Sequence, residues 1–152
     1  MSLDRTDRRI LSALQKNGRL TNVELAEQVG LSPSPCLRRV RRLEDEGYID
    51  RYVALLNPKK LGFSTTVFVR VWLAAQDDDT VNNFITSVQK LGQVLECHFM
   101  AGDCDFLLRV VAADLDGYRR FQSEHLGRIA GIRKLQTEIP LERIKQSCEL
   151  PL

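Results

Sequence analysis

Apolar residues in the first fifty positions recur at helical spacing in three short runs. Each run is bounded by residues that start or stop helices. Ile10, Leu11 and Leu14 form the stripe of a first helix. Asp4 stands before it and Asp7 three residues on, where carboxylates meet free N–H groups and the positive end of the helix dipole. Asn17-Gly18 ends it. Thr21 and Glu24 form a T-x-x-E capping box for a second helix, with Leu20 and Leu25 spaced as a hydrophobic staple. Leu25, Ala26 and Val29 line its inner face, and Gly30 supplies the turn. Ser32 is placed to cap a third helix. Pro33 takes the first position, where a missing N–H costs nothing, and Pro35 falls within the first turn. Leu37, Val40 and Leu43 recur on one side, and Gly47 stops the run. A helix, a tight glycine turn and a second helix make a helix-turn-helix.

Beyond Gly47 the period changes. Residues 48–56 alternate and are rich in β-formers, which predicts one extended strand, a small wing and stalk. Asn57-Pro58-Lys59-Lys60 breaks the pattern. The expected organisation is a helix-turn-helix over 1–50, a strand and hinge over 51–62, and a second domain over 63–152. Within the second domain, 65–73 reads as a strand. Asp77, Asp78 and Asp79 offer caps for a helix with Val81, Phe84, Ile85, Val88 and Leu91 on one face, closed by Gly92. A second strand covers 94–101, a turn 102–105 and a third strand 106–111. Asp114 or Asp116 caps a helix with Leu115, Tyr118, Phe121 and Leu126. A fourth strand spans 132–145, where Pro140 predicts an edge or bend. The order βαββαβ is the ferredoxin-like arrangement. The fold class is therefore α+β: a winged helix-turn-helix joined to a ferredoxin-like domain. Such a sheet carries helices on one face. Pairing with a second copy is the economical way to cover the other, and accounts for apolar residues on both faces of the first strand.

Charge sharpens the reading of the third helix. Residues 1–60 hold 12 Lys and Arg against 8 Asp and Glu, and the remainder 10 against 12. The basic part is therefore the helical one, as expected of a segment that meets a polyanion. At about 100° per residue, Cys36, Leu37, Val40 and Leu43 fall on one side of the third helix. Arg38 centres the other, with Ser34 and Arg42 beside it and Arg39 and Arg41 flanking. Outward arginines can pair bidentately with guanine or clamp a phosphate, and Ser34 stands where such helices enter the major groove. The expected DNA-binding residues are Ser32, Ser34, Arg38, Arg39, Arg41 and Arg42.

Other classes find little support. No stretch approaches the length of a membrane span, and the first nine residues lack the apolar core of a signal peptide. The expectation is a cytoplasmic protein associated with the nucleoid. Cys36, Cys97, Cys104 and Cys148 form no CxxC pair, so they read as reduced thiols rather than as a metal site. The two histidines, His98 and His125, belong to no Ser/His/Asp or Cys/His constellation, and there is no glycine-rich phosphate loop. No enzyme activity, metal or cofactor is expected.

The whole chain resembles the leucine-responsive/asparagine-responsive (Lrp/AsnC, feast/famine) family of transcriptional regulators. The residues that carry the resemblance are LDRTDRRILSALQKNGRLTNVELAEQVGLSPSPCLRRVRRLEDEGYI, then LGF, then the turn G-D-x-D-[FY]-L-L over 102–108, and IKQSCELPL near the end. The resemblance implies homodimers that pair their C-terminal sheets and assemble to tetramers or octamers. It also implies an amino-acid effector bound between dimers at the turn of the second domain. Carried over, that site comprises Met100, Ala101, Gly102, Asp103, Cys104 and Asp105, with Gln136 and Thr137 on the opposing wall. Cys104 stands where the family often has an aromatic residue. That smaller side chain favours an aliphatic or thioether effector, leucine or methionine. Two other roles are compatible with the same fold: an effector-independent nucleoid organiser, and an enzyme acting on tetrapyrroles.

Overall fold

The computed structural model describes residues 3–152. The chain divides into two compact units. One comprises the residues through Leu55 together with Ile144–Leu152, and the other Leu56–Arg143.

The first unit is built on α1 (Arg5–Lys16), α2 (Asn22–Val29) and α3 (Pro33–Asp45). Asp4 and Asp7 form a reciprocal capping box on α1, and Thr21 and Glu24 form another on α2. Gly30 ends α2 in the left-handed region, φ 72°, which a side chain would oppose. Ile10, Leu25, Ala26, Val29, Cys36 and Leu43 are the buried core, with Leu14, Leu20, Val40 and Ile49 packed around it. Leu37, expected on the inner side, is instead exposed.

Two expectations fail here for clear reasons. Ser32 occupies the N-cap position of α3 but makes no side-chain cap bond. The third helical residue is Pro35, which has no N–H to give. Residues 48–56 form no strand. Extended backbone becomes a strand only where a neighbour takes its hydrogen bonds, and the described residues supply no ladder partner. Tyr48 and Ile49 instead donate to the Leu43 carbonyl at the end of α3, and the Tyr52 hydroxyl donates to Glu44. The segment leaves Val53, Leu55 and Leu56 exposed.

The second unit is a four-stranded antiparallel sheet of β1 (Thr65–Leu73), β2 (Val94–Phe99), β3 (Phe106–Ala112) and β4 (Ile132–Glu138), in the order β2-β3-β1-β4. Helices α4 (Asp78–Val88) and α5 (Leu115–Glu124) connect them, capped by Asp77 and Asp114. Alternation along β1 sends Val67, Val69, Val71 and Leu73 to the helical face, against Phe84, Val88, Tyr118 and Phe121. Thr66, Phe68, Arg70 and Trp72 lie on the other face. This is the βαββαβ arrangement expected.

β2 stops at Phe99 rather than at 101; the Met100 N–H still donates to the Asp105 carbonyl opposite, and the chain then turns. β4 stops at Glu138, not at 145. Pro140 lacks the N–H a ladder needs, and β4 is an edge strand. The segment Ile144–Leu152, assigned from the sequence to the second domain, belongs to the first unit instead. There the Gln15 side chain accepts from the Leu150 N–H and donates to its carbonyl.

Candidate nucleic-acid interface and effector loop

The four arginines of α3 separate into two pairs. Arg39 Nη1 lies 2.6 Å from Asp4 Oδ2 and 2.7 Å from Asp7 Oδ1, and Arg42 Nη2 lies 2.6 Å from Asp7 Oδ2. Asp7 is 1% exposed. Both arginines are half-buried, so the expectation that all four point outward is corrected. The cause is spacing: residues three apart on one helix face residues three apart on the other. Asp4 and Asp7 oppose Arg39 and Arg42, a complementarity visible in the sequence once the two helices are known to cross. The Asp4 carboxyl is held below the usual range by the Asp7 N–H and the Arg39 guanidinium.

Arg38, Arg41, Ser32 and Ser34 remain exposed. Pro33 and Pro35 remove two N–H groups from the first turn of α3, leaving that of Ser34. The Ser32 hydroxyl, released from capping, stands beside it. A hydroxyl and a helix-terminal N–H together suit a phosphate oxygen. Asn22 Nδ2 donates to the Pro33 carbonyl at 2.8 Å, tying the start of α2 to the start of α3. The sequence reading missed this tie.

In the second unit the loop between β2 and β3 divides into a fixed base and an exposed rim. Cys104 and Asp105 are buried, whereas Met100, Ala101, Gly102 and Asp103 are exposed. Asp105 Oδ2 accepts from the Leu73 N–H and Oδ1 from the Gln76 amide, both at 2.7 Å. Its own N–H donates to the Val71 carbonyl. The Trp72 indole N–H donates to the Asp103 carbonyl at 2.7 Å. Lys134 Nζ stands 4.4 Å from the centre of the Trp72 ring. Trp72, Gln76 and Lys134 were not among the expected site residues. Only the β4 register, which sets Lys134 opposite Trp72, brings them to the loop. A Cβ on Gly102 would meet nothing within 4 Å, so the loop itself does not require the small residue. Its absence of side chain leaves the backbone open to an approaching group.

Gln136 and Thr137 lie on opposite faces of β4. Gln136 pairs with Arg70 on the face away from the helices. Thr137 pairs with Val69, and its hydroxyl is 2.6 Å from that of Tyr118 on α5. The structure does not bring the two side chains to one wall. The exposed face also carries ion pairs, Arg70 with Glu138 and Arg109 with Glu96.

Comparison with known proteins also finds two parts, with residues 144–150 matched together with the second. Residues 3–50 match the winged helix-turn-helix DNA-binding family, and residues 66–150 the Lrp/AsnC ligand binding domain. The chain is 49% identical over 148 residues to the leucine-responsive regulatory protein of Escherichia coli K12, covering 97% of this chain and 90% of that protein. A transcriptional regulator of Neisseria meningitidis, solved as an L-Met complex, superposes with a TM-score of 0.95 at 41% identity, covering 99% of this chain and 97% of that one. An AsnC family regulator from Agrobacterium tumefaciens superposes with a TM-score of 0.92 at 40% identity, covering 98% and 97%.

Proposed function

The chain belongs to the Lrp/AsnC family of DNA-binding transcriptional regulators, and on that premise we propose that its DNA binding responds to leucine or methionine. The E. coli relative is leucine-responsive by name, and the Neisseria structure holds L-Met. The observation that carries the effector reading is the exposed rim Met100, Ala101, Gly102 and Asp103 on a rigid base. The Ala101, Gly102 and Asp103 N–H groups suit an α-carboxylate, and the exposed Asp103 carboxylate suits an α-ammonium. Asp105 and Cys104 hold the base. Gln136 reaches a ligand only from the face opposite to Thr137, whose hydroxyl serves Tyr118.

In the first unit Ser34, Arg38 and Arg41 read base edges and backbone, and Ser32 holds a phosphate. Arg39 and Arg42 orient α3 against α1. A second copy covers the open face of the sheet and supplies the second half-site, so the working form is a homo-oligomer. It acts in the cytoplasm, where its DNA lies.

Thermal unfolding against each of the twenty amino acids tests the effector. A ligand that binds only the folded state, at about 100 times its Kd, adds roughly 2.7 kcal/mol of stability. Leucine or methionine is expected to raise Tm, and Asp103→Ala to abolish the rise. No shift with any amino acid would remove the effector reading and leave a DNA-binding regulator without this ligand class.

A further inference from the structure

Helix α1 has two charged sides. Asp7 shares the inner side with Ile10 and Leu14 and meets the arginines of α3. At about 100° per residue, Arg5, Arg8, Arg9, Ser12 and Lys16 fall together on the opposite side. With Gln28 of α2 they line a shallow cleft of about 470 Å³, and Leu152 contributes to its rim. Among the described residues no acidic side chain lines this cleft. Arg5, Arg8 and Lys16 have no ion-pair partner there. Arg9 Nη2 donates to the Gln28 carbonyl at 3.2 Å, which holds its guanidinium at the cleft without neutralising it.

An ordinary solvated helix face mixes both signs of charge, as the C-terminal half of α3 does with Arg41, Glu44 and Asp45. Here four cations share one concavity, while the acids of α1 are turned the other way and consumed by Arg39 and Arg42. Arg5, Arg8 and Arg9 fall within about one helical turn and Lys16 lies about two turns on, with Ser12 between. A row of that kind matches the regular charges of a phosphodiester chain better than the scattered carboxylates of a protein surface. The Ser12 hydroxyl and the Gln28 amide add neutral donors of the sort that position a backbone.

We infer that this cleft is a second DNA-binding surface, which grips the phosphate backbone of a stretch of duplex other than the one read by α3. The side of α1 that carries it is opposite to the side that meets α3, so a duplex short enough to hold only the recognised site does not reach it.

The full-length protein carrying Arg5→Gln, Arg8→Gln and Lys16→Gln together tests this on two duplexes. One is about 20 bp, two half-sites long; the other is about 150 bp, one persistence length. The readout is the slope of log Kobs against log salt concentration. On the long duplex the slope is expected to become shallower by about 2–3, at roughly 0.9 for each phosphate left unneutralised. On the short duplex it is expected to equal that of the unaltered protein. A second variant, Arg5→Lys with Arg8→Lys, keeps the charge and is expected to keep the slope on both. An unaltered long-duplex slope in the triple variant would show that the cleft takes no phosphate. Equal losses on both duplexes would place cleft and α3 on the same stretch. A loss in the lysine variant as large as in the triple variant would assign the effect to helix packing. Each of the three overturns the inference.

Discussion

Asp7 and Asp105 are the buried carboxylates of the two units, 1% and 9% exposed, and they are held by opposite means. Asp7 is neutralised: two guanidinium groups from α3 close on it, and the Asp4 N–H donates to its Oδ2. Asp105 meets no cation among the described residues and is held by neutral donors, the Leu73 N–H and the Gln76 amide. The first arrangement joins two helices through charge. Charges out of water need their partners, so loss of one partner strands the others. The second arrangement holds a loop to a strand end through hydrogen bonds whose individual net worth is modest. In the proposed roles, the helix offered to DNA is braced with two further arginines, and the loop offered to a small ligand is anchored by a group that the ligand need not touch.

The largest expected effect that would break this comparison is that of Asp7→Ala. It leaves Arg39 to Asp4 alone and Arg42 to the more distant Glu46, and should cost up to about 3 kcal/mol, the low end for broken buried pairs because both arginines keep another carboxylate and some water. Urea unfolding followed by far-UV circular dichroism measures it. Trp72 is the only tryptophan and lies in the second unit, so its fluorescence should unfold at an unchanged urea concentration. A matched shift in both signals would mean that the units unfold as one.

Asp105→Ala comes next, at about 2 kcal/mol, from the unsatisfied Leu73 N–H. Here the fluorescence transition should move, with or without amino acid present. A variant of wild-type stability that has merely lost its effector response would make Asp105 a ligand contact and not an anchor. Arg38→Ala should leave stability alone and weaken specific operator binding by at least about 1 kcal/mol. Arg39→Ala should instead lower stability. Equal behaviour of the two variants would erase the division of α3 into reading and bracing residues.

The smallest effect concerns pH. The Arg109 side chain bonded to Glu96 holds its carboxyl below the ordinary value of 4.5, and His98 adds to the same shift. A depressed carboxylate stabilises the fold above its unfolded value. That contribution is lost as pH falls below 4.5 and through the lowered folded value. The pair is partly exposed, so the whole effect should stay below about 1 kcal/mol. The acid limb of a Tm–pH curve should be shallower for Glu96→Gln.

Much of the fold was legible because local signals agreed with one another. The Asp4 cap, the Thr21 capping box, the glycine at position 30 and the β1 alternation each fall where expected, since caps, turns and periodicity act within a few residues. The candidate sites were legible as segments but not as side-chain roles. Arg38 and Arg39 are neighbours in sequence with the same chemistry, yet one faces solvent and the other faces Asp7. Gln136 and Thr137 are neighbours too, and a strand sends them to opposite faces. Asp103 and Asp105 look interchangeable in a G-D-C-D turn, and only the approach of Leu73 and Gln76 separates rim from base.

The sequence by itself determined the five helices and the four strands of the sheet, their order, the division into a basic helical part and a sheet-forming part, and the family, though not the fate of residues 48–56. These follow from local sterics, from hydrophobic period and from motifs that survive without neighbours. Tertiary structure alone decided which arginines are spent on Asp7 and that Asp105 supports its loop. It also decided that Lys134 lies over Trp72 and that Ile144–Leu152 returns to the helical unit. Those outcomes depend on helix crossing and strand register, which join residues far apart in the chain. Hydrogen bonds and ion pairs form only between groups brought within about 3 Å, and no pattern within a single segment carries that distance.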